Sequence, residues 1–242
     1  MISIQNLSKK YNSQPIGRST TVNYALDNIS MDIKEGTITA IIGLNGSGKT
    51  SLLKSIMGFI RPSSGSITVD GEKLSHRLYN KMVYVPDCQT HFPSYSVDDL
   101  IYFYKDFYEN FNDKKADEML DYFNIKRTDI IDQLSKGNIA KIKLVMALSL
   151  NMKYILLDEP FSGIDVFKRK EFVSIIGRYM GEDQSLILST HQIDDIESIV
   201  DYVHILREGC LVASFNAEDM RLSEGKSILD KLREVNFDGT TR

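Results

Sequence analysis

The sequence lacks several features that would restrict its fold and setting. No run approaches the roughly 18–20 consecutive apolar residues of a membrane-spanning helix, so a membrane role would depend on a partner chain. Residues 1–5 do not begin a basic-then-apolar leader. The only cysteines, Cys88 and Cys210, are far apart in sequence, which is typical of a reduced cytosolic protein. There is also no internal repeat and no low-complexity tract.

Positive charge is not in excess either. The 242 residues include 29 Lys and Arg against 33 Asp and Glu, which gives a formal net charge of -4. This balance argues against a nucleic-acid-binding surface, so we expect no nucleic-acid partner. With 42% hydrophobic residues, the chain can bury a substantial core. Its length fits one domain with an inserted lobe, or two close-packed lobes.

Short β-rich runs alternate with helical patterns along most of the chain. The predicted strands are 2–4, 29–33, 37–42, 67–69, 82–85, 154–157, 186–189 and 202–206, and a helix is predicted at 51–57. This alternation predicts a mostly parallel α/β sheet. Between about 93 and 133, aromatic and acidic residues at helical spacing, with a capping box from Ser96 to Asp99, predict a helical lobe. We expect a loop over 11–23, and a helix with a frayed end after 218.

The strongest motif is a glycine-rich loop between a predicted strand and a predicted helix. Its spacing, G-x-x-x-x-G-K-[ST], allows backbone amides to wrap around phosphate oxygens at the positive end of the helix dipole. Lys49 is predicted to reach the β- and γ-phosphates, and the Thr50 hydroxyl to ligate Mg²⁺. A glycine-rich turn with a solvated lysine is the alternative interpretation. The predicted phosphate-binding residues are Gly43, Asn45, Gly46, Ser47, Gly48, Lys49, Thr50 and Ser51.

Two carboxylates follow the apolar strand predicted at 154–157. In open α/β sheets, ligands bind at the carboxyl edge, where these side chains would lie. Asp158 is predicted to hold Mg²⁺, and Glu159 to act as the general base for the water that attacks the γ-phosphate. Alternatively, the two acids only cap the next helix.

A second anion site is predicted at Ser135 and Gly137, where a helical run begins. A helix N-terminus presents free amides and a positive dipole end to a phosphate. The same residues are also common at a simple N-cap, so both interpretations stay open.

In this order, the motifs resemble those of the ATP-binding cassette (ABC) ATPases. The phosphate loop resembles the Walker A motif, and 154–159 resembles the Walker B strand with its following glutamate. Residues 134–138 are similar to the signature motif, usually L-S-G-G-Q. Residues 162–165 resemble the D-loop, and 189–191 the switch-histidine motif. The resemblance runs from about Ile2 to Ser214, and the ordered set is more specific than the phosphate loop alone.

The resemblance implies further roles. His191 would contact the γ-phosphate and join Lys49 and Glu159 in the catalytic set, and Asp165 would reach a partner subunit. Tyr11 lies where the family places the aromatic residue that stacks on adenine. Because the loop after Tyr11 is longer than usual, Tyr24 is the other candidate.

The chain departs from the family pattern at two places. The signature motif reads S-K-G-N. A lysine at the position of Lys136 resembles the motif variants of single-cassette exporters of small amphiphiles and antibiotics. Asp87 stands where the family has the Q-loop glutamine. A carboxylate binds Mg²⁺ more strongly than an amide, so Asp87 is a predicted metal ligand. Gln89 could instead fill the glutamine's role through a loop shift.

By resemblance, the chain is one ABC ATPase domain over 1–242. The expected fold is α/β, with a RecA-like P-loop core, an antiparallel β subdomain and an inserted helical subdomain. The core and β subdomain would take 1–90 and 150–216, the helical subdomain with the signature motif 91–149, and a C-terminal tail 217–242.

The same resemblance implies ATP and Mg²⁺ as cofactors and a homodimer or heterodimer with another ABC ATPase. In the family, each nucleotide lies between the phosphate loop of one subunit and the signature motif of the other. Transmembrane permease subunits would place the protein at the inner face of the cell membrane, on the cytoplasmic side. A soluble ABC-type ATPase in assembly or regulation, without transport, is the alternative function.

Overall fold

The structure is a computed structural model that describes residues 1–12, 22–88, 94–194 and 196–237. Two sheets organise these residues. A four-stranded antiparallel sheet, in the order β2-β1-β4-β5, comprises β1 (Ile2–Asn12), β2 (Val22–Ile33), β4 (Ser64–Val69) and β5 (Glu72–Lys73). A six-stranded sheet, in the order β10-β9-β3-β8-β7-β6, comprises β3 (Ile38–Ile42), β6 (Met82–Val85), β7 (Tyr154–Asp158), β8 (Ser185–Thr190), β9 (Tyr202–Arg207) and β10 (Cys210–Asn216).

In the larger sheet, five strands are parallel and β10 runs antiparallel to β9. Side chains alternate between two hydrophobic cores. Along β7, Tyr154 and Leu156 face the core shared with the antiparallel sheet, whereas Ile155 and Leu157 face the helices on the other side. A parallel sheet covered on both faces explains why its strands read as continuous apolar runs.

Seven α-helices complete the described part of the chain: α1 (Lys49–Ile56), α2 (Val97–Phe107), α3 (Asp113–Tyr122), α4 (Lys136–Ser149), α5 (Val166–Tyr179), α6 (Ala217–Glu224) and α7 (Ile228–Phe237). The predicted capping box is present at the start of α2, where Ser96 and Asp99 bond reciprocally. Helices α2 to α4 lie between β6 and β7 in sequence, which confirms the expected α/β core with an antiparallel sheet and inserted helices.

Two local expectations were wrong. The predicted loop over 11–23 is partly strand, because Tyr11 pairs with Asn23 and Asn12 pairs with Val22. Positive φ angles at Asn6 and Asn28 accompany register shifts in this ribbon, and such irregularities hide the period of two in the sequence. The tail forms two helices rather than one, and both are packed, since Met220 and Ile228 are buried.

Candidate functional site

The glycine-rich loop connects the end of β3 to the start of α1 and requires its glycines. Gly48 has φ +105°, and a Cβ there would lie 2.3 Å from the carbonyl oxygen of Ala25. At Gly43 a Cβ would lie 2.4 Å from the carbonyl oxygen of Leu206. A residue other than glycine would therefore clash at Gly43 and be strained at Gly48. The loop remains close to the sheet and brings Lys49 to its carboxyl edge.

Lys49 is buried and paired at this edge. Its Nζ donates to the carbonyl oxygens of Gly43 at 2.7 Å and Leu44 at 3.2 Å, and lies 3.0 Å from Oε1 of Glu159. The Lys49 side chain is 5% exposed and that of Glu159 13%. A buried charge is costly unless it is paired, and this ion pair brings the two opposite charges together.

Asp158 is the centre of a second set of contacts, and it is 3% exposed. Its Oδ1 accepts hydrogen bonds from Thr50 Oγ1 at 3.1 Å and from Ser189 Oγ at 2.6 Å. Its Oδ2 accepts one from Tyr84 Oη at 2.9 Å. The phosphate loop and the carboxylates therefore share one site, as the motifs require.

Sequence reasoning missed Tyr84 and the role of Ser189. Both are polar residues near the carboxyl ends of β6 and β8, the strands that flank β7. A polar residue at such a position in a predicted strand was the signal that could have indicated a contact with Asp158. Burial, with the neighbouring Asp158 carboxylate, holds the pKa of Tyr84 well above its usual value, so its hydroxyl remains a donor to Asp158.

Glu159 follows the strand in an unusual backbone conformation. Its φ is 46°, and its amide donates to the Ser189 hydroxyl oxygen at 2.9 Å. A non-glycine residue with positive φ needs support from its surroundings and is common at functional sites. This turn directs the carboxylate at two groups, because Oε2 lies 2.9 Å from Nδ1 of His191 while Oε1 faces Lys49.

Comparisons with known proteins agree with this geometry. The family model described as "ABC transporter" matches residues 26–162, more than half of the chain. The manganese transport system ATP-binding protein of Synechocystis sp. is 31% identical over 242 residues, covering 93% of this chain and 90% of that protein. An uncharacterised ABC transporter ATP-binding protein of Methanocaldococcus jannaschii is 30% identical over 225 residues, covering 90% and 79%.

This chain belongs to the ABC transporter family, as an ATP-binding subunit. Among solved structures, a dimeric bacterial ABC transporter cassette matches the fold with a TM-score of 0.76 at 22% identity, covering 89% of this chain and 98% of that one.

The segment that resembles the signature motif begins helix α4, and its Lys136 lines a cavity together with Asp158 and Glu159. Ser135 caps α4 by accepting a hydrogen bond from the amide of Asn138 at 3.3 Å. Ser135 and Lys136 are exposed. Among the described residues, no hydrogen bond or ion pair connects Ser135 or Gly137 to the phosphate loop. Asp165, at the end of the D-loop segment, is also exposed.

Asp87 lies at a cavity of about 450 Å³ that Asp158, Glu159 and Lys136 also line. The Asp87 side chain is exposed, and it is Tyr84 that donates a hydrogen bond to Asp158. The loop that carries Asp87 is held by Lys143, whose Nζ donates to the carbonyl oxygens of Pro86 and Cys88. Gln89, the alternative to Asp87, lies outside the described residues.

Both candidates for adenine stacking are about half exposed, Tyr11 at 45% and Tyr24 at 41%. Tyr24 pairs with Lys10 across the ribbon, whereas Tyr11 pairs with Asn23. Because directly paired residues share a face and neighbours along a strand alternate, the two rings lie on opposite faces. Only one of them can face a nucleotide, and the choice stays a prediction.

Proposed function

We propose that this chain binds Mg-ATP, closes with a second ABC ATPase subunit around two nucleotides, and hydrolyses them to power transport through membrane permease subunits. One observation carries the proposal: two charged or polar residues of the phosphate loop, Lys49 and Thr50, meet the two strand-end carboxylates, Glu159 and Asp158, directly.

The pairing of Lys49 with Glu159 suggests how nucleotide binding prepares catalysis. A triphosphate in the loop offers Lys49 several negative oxygens in place of one carboxylate. When Lys49 turns to the phosphates, Glu159 loses its cationic partner and becomes available to a water molecule. Glu159 then polarises that water for attack on the γ-phosphate, and His191, already 2.9 Å from Glu159, holds the carboxylate in position.

The residues around Asp158 also fit Mg²⁺. The Thr50 hydroxyl and the Asp158 carboxylate are hard oxygen donors, 3.1 Å apart, and would hold the ion, with Asp87 as a more distant candidate. Across the described residues, no group of three or more acidic, His or Cys side chains forms a metal cluster. Mg²⁺ suits such a sparse site because it usually keeps waters and phosphate oxygens as ligands. When bound, the ion would neutralise charge on the phosphates.

A second subunit would complete the site. Ser135 and Lys136 at the start of α4 are exposed, so this helix N-terminus is accessible to the γ-phosphate of a nucleotide held by a partner. Asp165 would reach across the same interface. The likeness to a dimeric cassette supports this arrangement, in which ATP links two subunits and its hydrolysis lets them separate. The partner is a copy of this chain or a homologous ABC ATPase.

Transport requires membrane partners. Within the described residues, no helix has the length and apolar character needed to cross a bilayer. We propose that permease subunits hold the protein at the cytoplasmic face of the membrane and contact the loop around Asp87 and the α2–α4 lobe. Export of a small amphiphile, peptide or antibiotic-like substrate is the proposed direction, and it rests on Lys136 in the signature motif. A soluble ABC-type ATPase without transport remains the competing function.

A phosphate-release assay tests the central claim. With saturating Mg-ATP, the wild-type protein should release phosphate continuously, and Lys49→Ala should reduce the rate to background. Lys54→Ala, on the same helix α1 but outside the loop, is the matched control and should retain the wild-type rate. Equal rates for Lys49→Ala and wild type would refute the assignment. Co-purification with a multi-span membrane protein from native membranes separates the transporter from the soluble alternative.

A further inference from the structure

A chain of side-chain contacts connects the 162–165 segment to His191. Arg169, on α5, donates from Nε to the carbonyl oxygen of Ile164 at 3.0 Å. Its Nη1 also donates to Oε1 of Gln192 in a short hydrogen bond. The other side of the Gln192 amide, Nε2, lies 3.2 Å from Nε2 of His191. The 162–165 segment is thus connected through two side chains to the histidine beside Glu159.

These contacts define the protonation of the His191 ring. Arg169 can only donate, so it fixes the oxygen of the Gln192 amide on its own side and the NH₂ on the side of His191. An amide nitrogen also donates only, so Nε2 of His191 must accept. A neutral imidazole carries its single proton on the other nitrogen, and Nδ1–H then donates to Oε2 of Glu159 at 2.9 Å.

We propose that Gln192, oriented by Arg169, is a positioning residue that holds His191 in the Nδ1–H tautomer and faces it toward Glu159. In this tautomer Nε2 has no proton to donate to a phosphate. His191 can contact the γ-phosphate through Nε2 only after Gln192 releases it or the ring gains a second proton.

Arg169 links that release to the 162–165 segment. Its guanidinium bonds a backbone carbonyl of this segment and the Gln192 side chain simultaneously, so a shift of the segment changes both contacts. The buried Ile164 side chain belongs to the same hydrophobic core as Phe172 of α5. Among the described residues, the charged groups near the His191–Glu159 pair include Arg169 through Gln192, Lys49 through Glu159, Asp158 on the same strand end, and Lys136 across the cavity.

The tautomer can be measured without nucleotide. In protein labelled with ¹⁵N at its four histidines, two-bond imidazole ¹H–¹⁵N spectra near pH 8 distinguish a protonated from an unprotonated ring nitrogen. A His191→Asn variant assigns the His191 signals. The wild-type protein should show Nδ1 protonated and Nε2 unprotonated. Gln192→Leu, which removes the donor at similar size, should convert at least part of the population to Nε2–H.

Arg169→Met should produce the same change, because the Gln192 amide then loses the group that orients it. Lys170→Ala, the next residue on α5 and exposed, is the matched control and should leave the His191 signals unchanged. A wild-type ring protonated at Nε2, or signals that do not change in Gln192→Leu, would overturn the proposal. Circular dichroism and thermal unfolding confirm that each variant is folded.

The catalytic consequence rests on the proposed function and has its own readout. In ATPase assays, Gln192→Leu should lower kcat by about tenfold or more with little change in KM, as expected for a group that orients a catalytic residue. A tautomer change without loss of kcat would refute the catalytic part. If the wild-type protein released no phosphate but showed the Nδ1–H tautomer, the proposed function would fail and the tautomer assignment would remain.

Discussion

The two proposed anion-binding ends of this molecule, the phosphate loop with its carboxylates and the start of α4, differ in how they are built. At the phosphate loop, Lys49, Asp158 and Glu159 are buried or nearly so, and each has a partner within the chain. At the signature end, Ser135 and Lys136 are exposed, and Ser135 bonds only the first turn of its own helix. The charged groups of the first end are paired within one chain, whereas Ser135 and Lys136 at the second end are exposed.

Burial explains this difference. Buried charges without nucleotide would be strongly unfavourable, so the phosphate-loop end uses its own carboxylates as temporary partners. Exposed groups such as Ser135 and Lys136 can instead bond water, and they need no partner within the chain. We therefore expect substitutions at the phosphate-loop end to disturb charge pairs within one chain. Substitutions at the start of α4 should instead disturb contacts with a partner subunit and leave those charge pairs unchanged.

The largest expected effect is at Glu159. Glu159→Gln keeps the shape and removes the base, so kcat should fall by about 10²–10⁴-fold while ATP still binds. Size-exclusion chromatography with Mg-ATP should show an accumulated dimer, because closed subunits no longer separate. Glu109→Gln, at an exposed position, is the control. A variant that hydrolyses ATP normally, or stays monomeric with ATP, would contradict the assignment of Glu159.

Acid should weaken the sheet beneath the phosphate loop. His204 on β9 lies beside Ile41 of β3, the strand that leads into the loop, and burial lowers its pKa to about 4 from 6.5. Between these values the unfolded chain binds the proton and the folded chain does not. The contribution of neutral His204 to the free energy of unfolding is therefore complete above pH 6.5. It is lost as pH falls to about 4, and the free energy of unfolding decreases by up to about 3 kcal/mol.

Urea unfolding across this pH range measures the effect. His204→Gln, which cannot take up the proton, should show a smaller decrease in the free energy of unfolding between pH 6.5 and 4. His76→Gln, at an exposed position, should follow the wild-type curve. Identical curves for His204→Gln and the wild type would mean that His204 is not buried in its neutral form.

A substitution at Gly137 tests the signature end in the same way. A Cβ at this position would have its nearest neighbour at 4.0 Å, so Gly137→Asp should fold normally. Its carboxylate would repel the γ-phosphate of a partner's nucleotide, so we expect kcat to fall by about 10–100-fold while nucleotide affinity of the monomer is unchanged. Gly177→Ala, near the C-terminal end of α5 where nothing lies within 4 Å of the added Cβ, is the control. Reduced ATP binding by monomeric Gly137→Asp would place the signature motif in the same subunit's site.

The smallest effect is expected in the helical lobe that carries the signature helix. Arg127 bonds Asp98, Asp113 and Asp117, yet it is 31% exposed. Arg127→Met should lower the thermal unfolding temperature slightly, equivalent to about 1 kcal/mol or less, and the loss should shrink in high salt. Lys114→Met, whose side chain is 89% exposed, is the comparison. A loss of several kcal/mol would show that this cluster behaves as a buried network.

Much of the site could be predicted from local patterns. The glycines, Lys49 and Thr50 are adjacent in sequence, and Asp158 and Glu159 directly follow an apolar strand. The capping box of α2 also lies within one turn. The ribbon of β1 and β2 was predicted only in part, because its bulges interrupt the alternation on which strand prediction depends.

The sequence by itself therefore determined which groups are candidates for phosphate binding, because that information lies in residues next to one another. The tertiary structure decided which distant residues meet them. Thr50 and Asp158 are 108 positions apart, and Tyr84 and Asp158 are 74 apart. They converge because β3, β8, β7 and β6 are neighbours in the sheet although they are not consecutive in the chain. The Arg169–Gln192–His191 contacts depend on the same packing, since strand order sets which carboxyl ends share an edge.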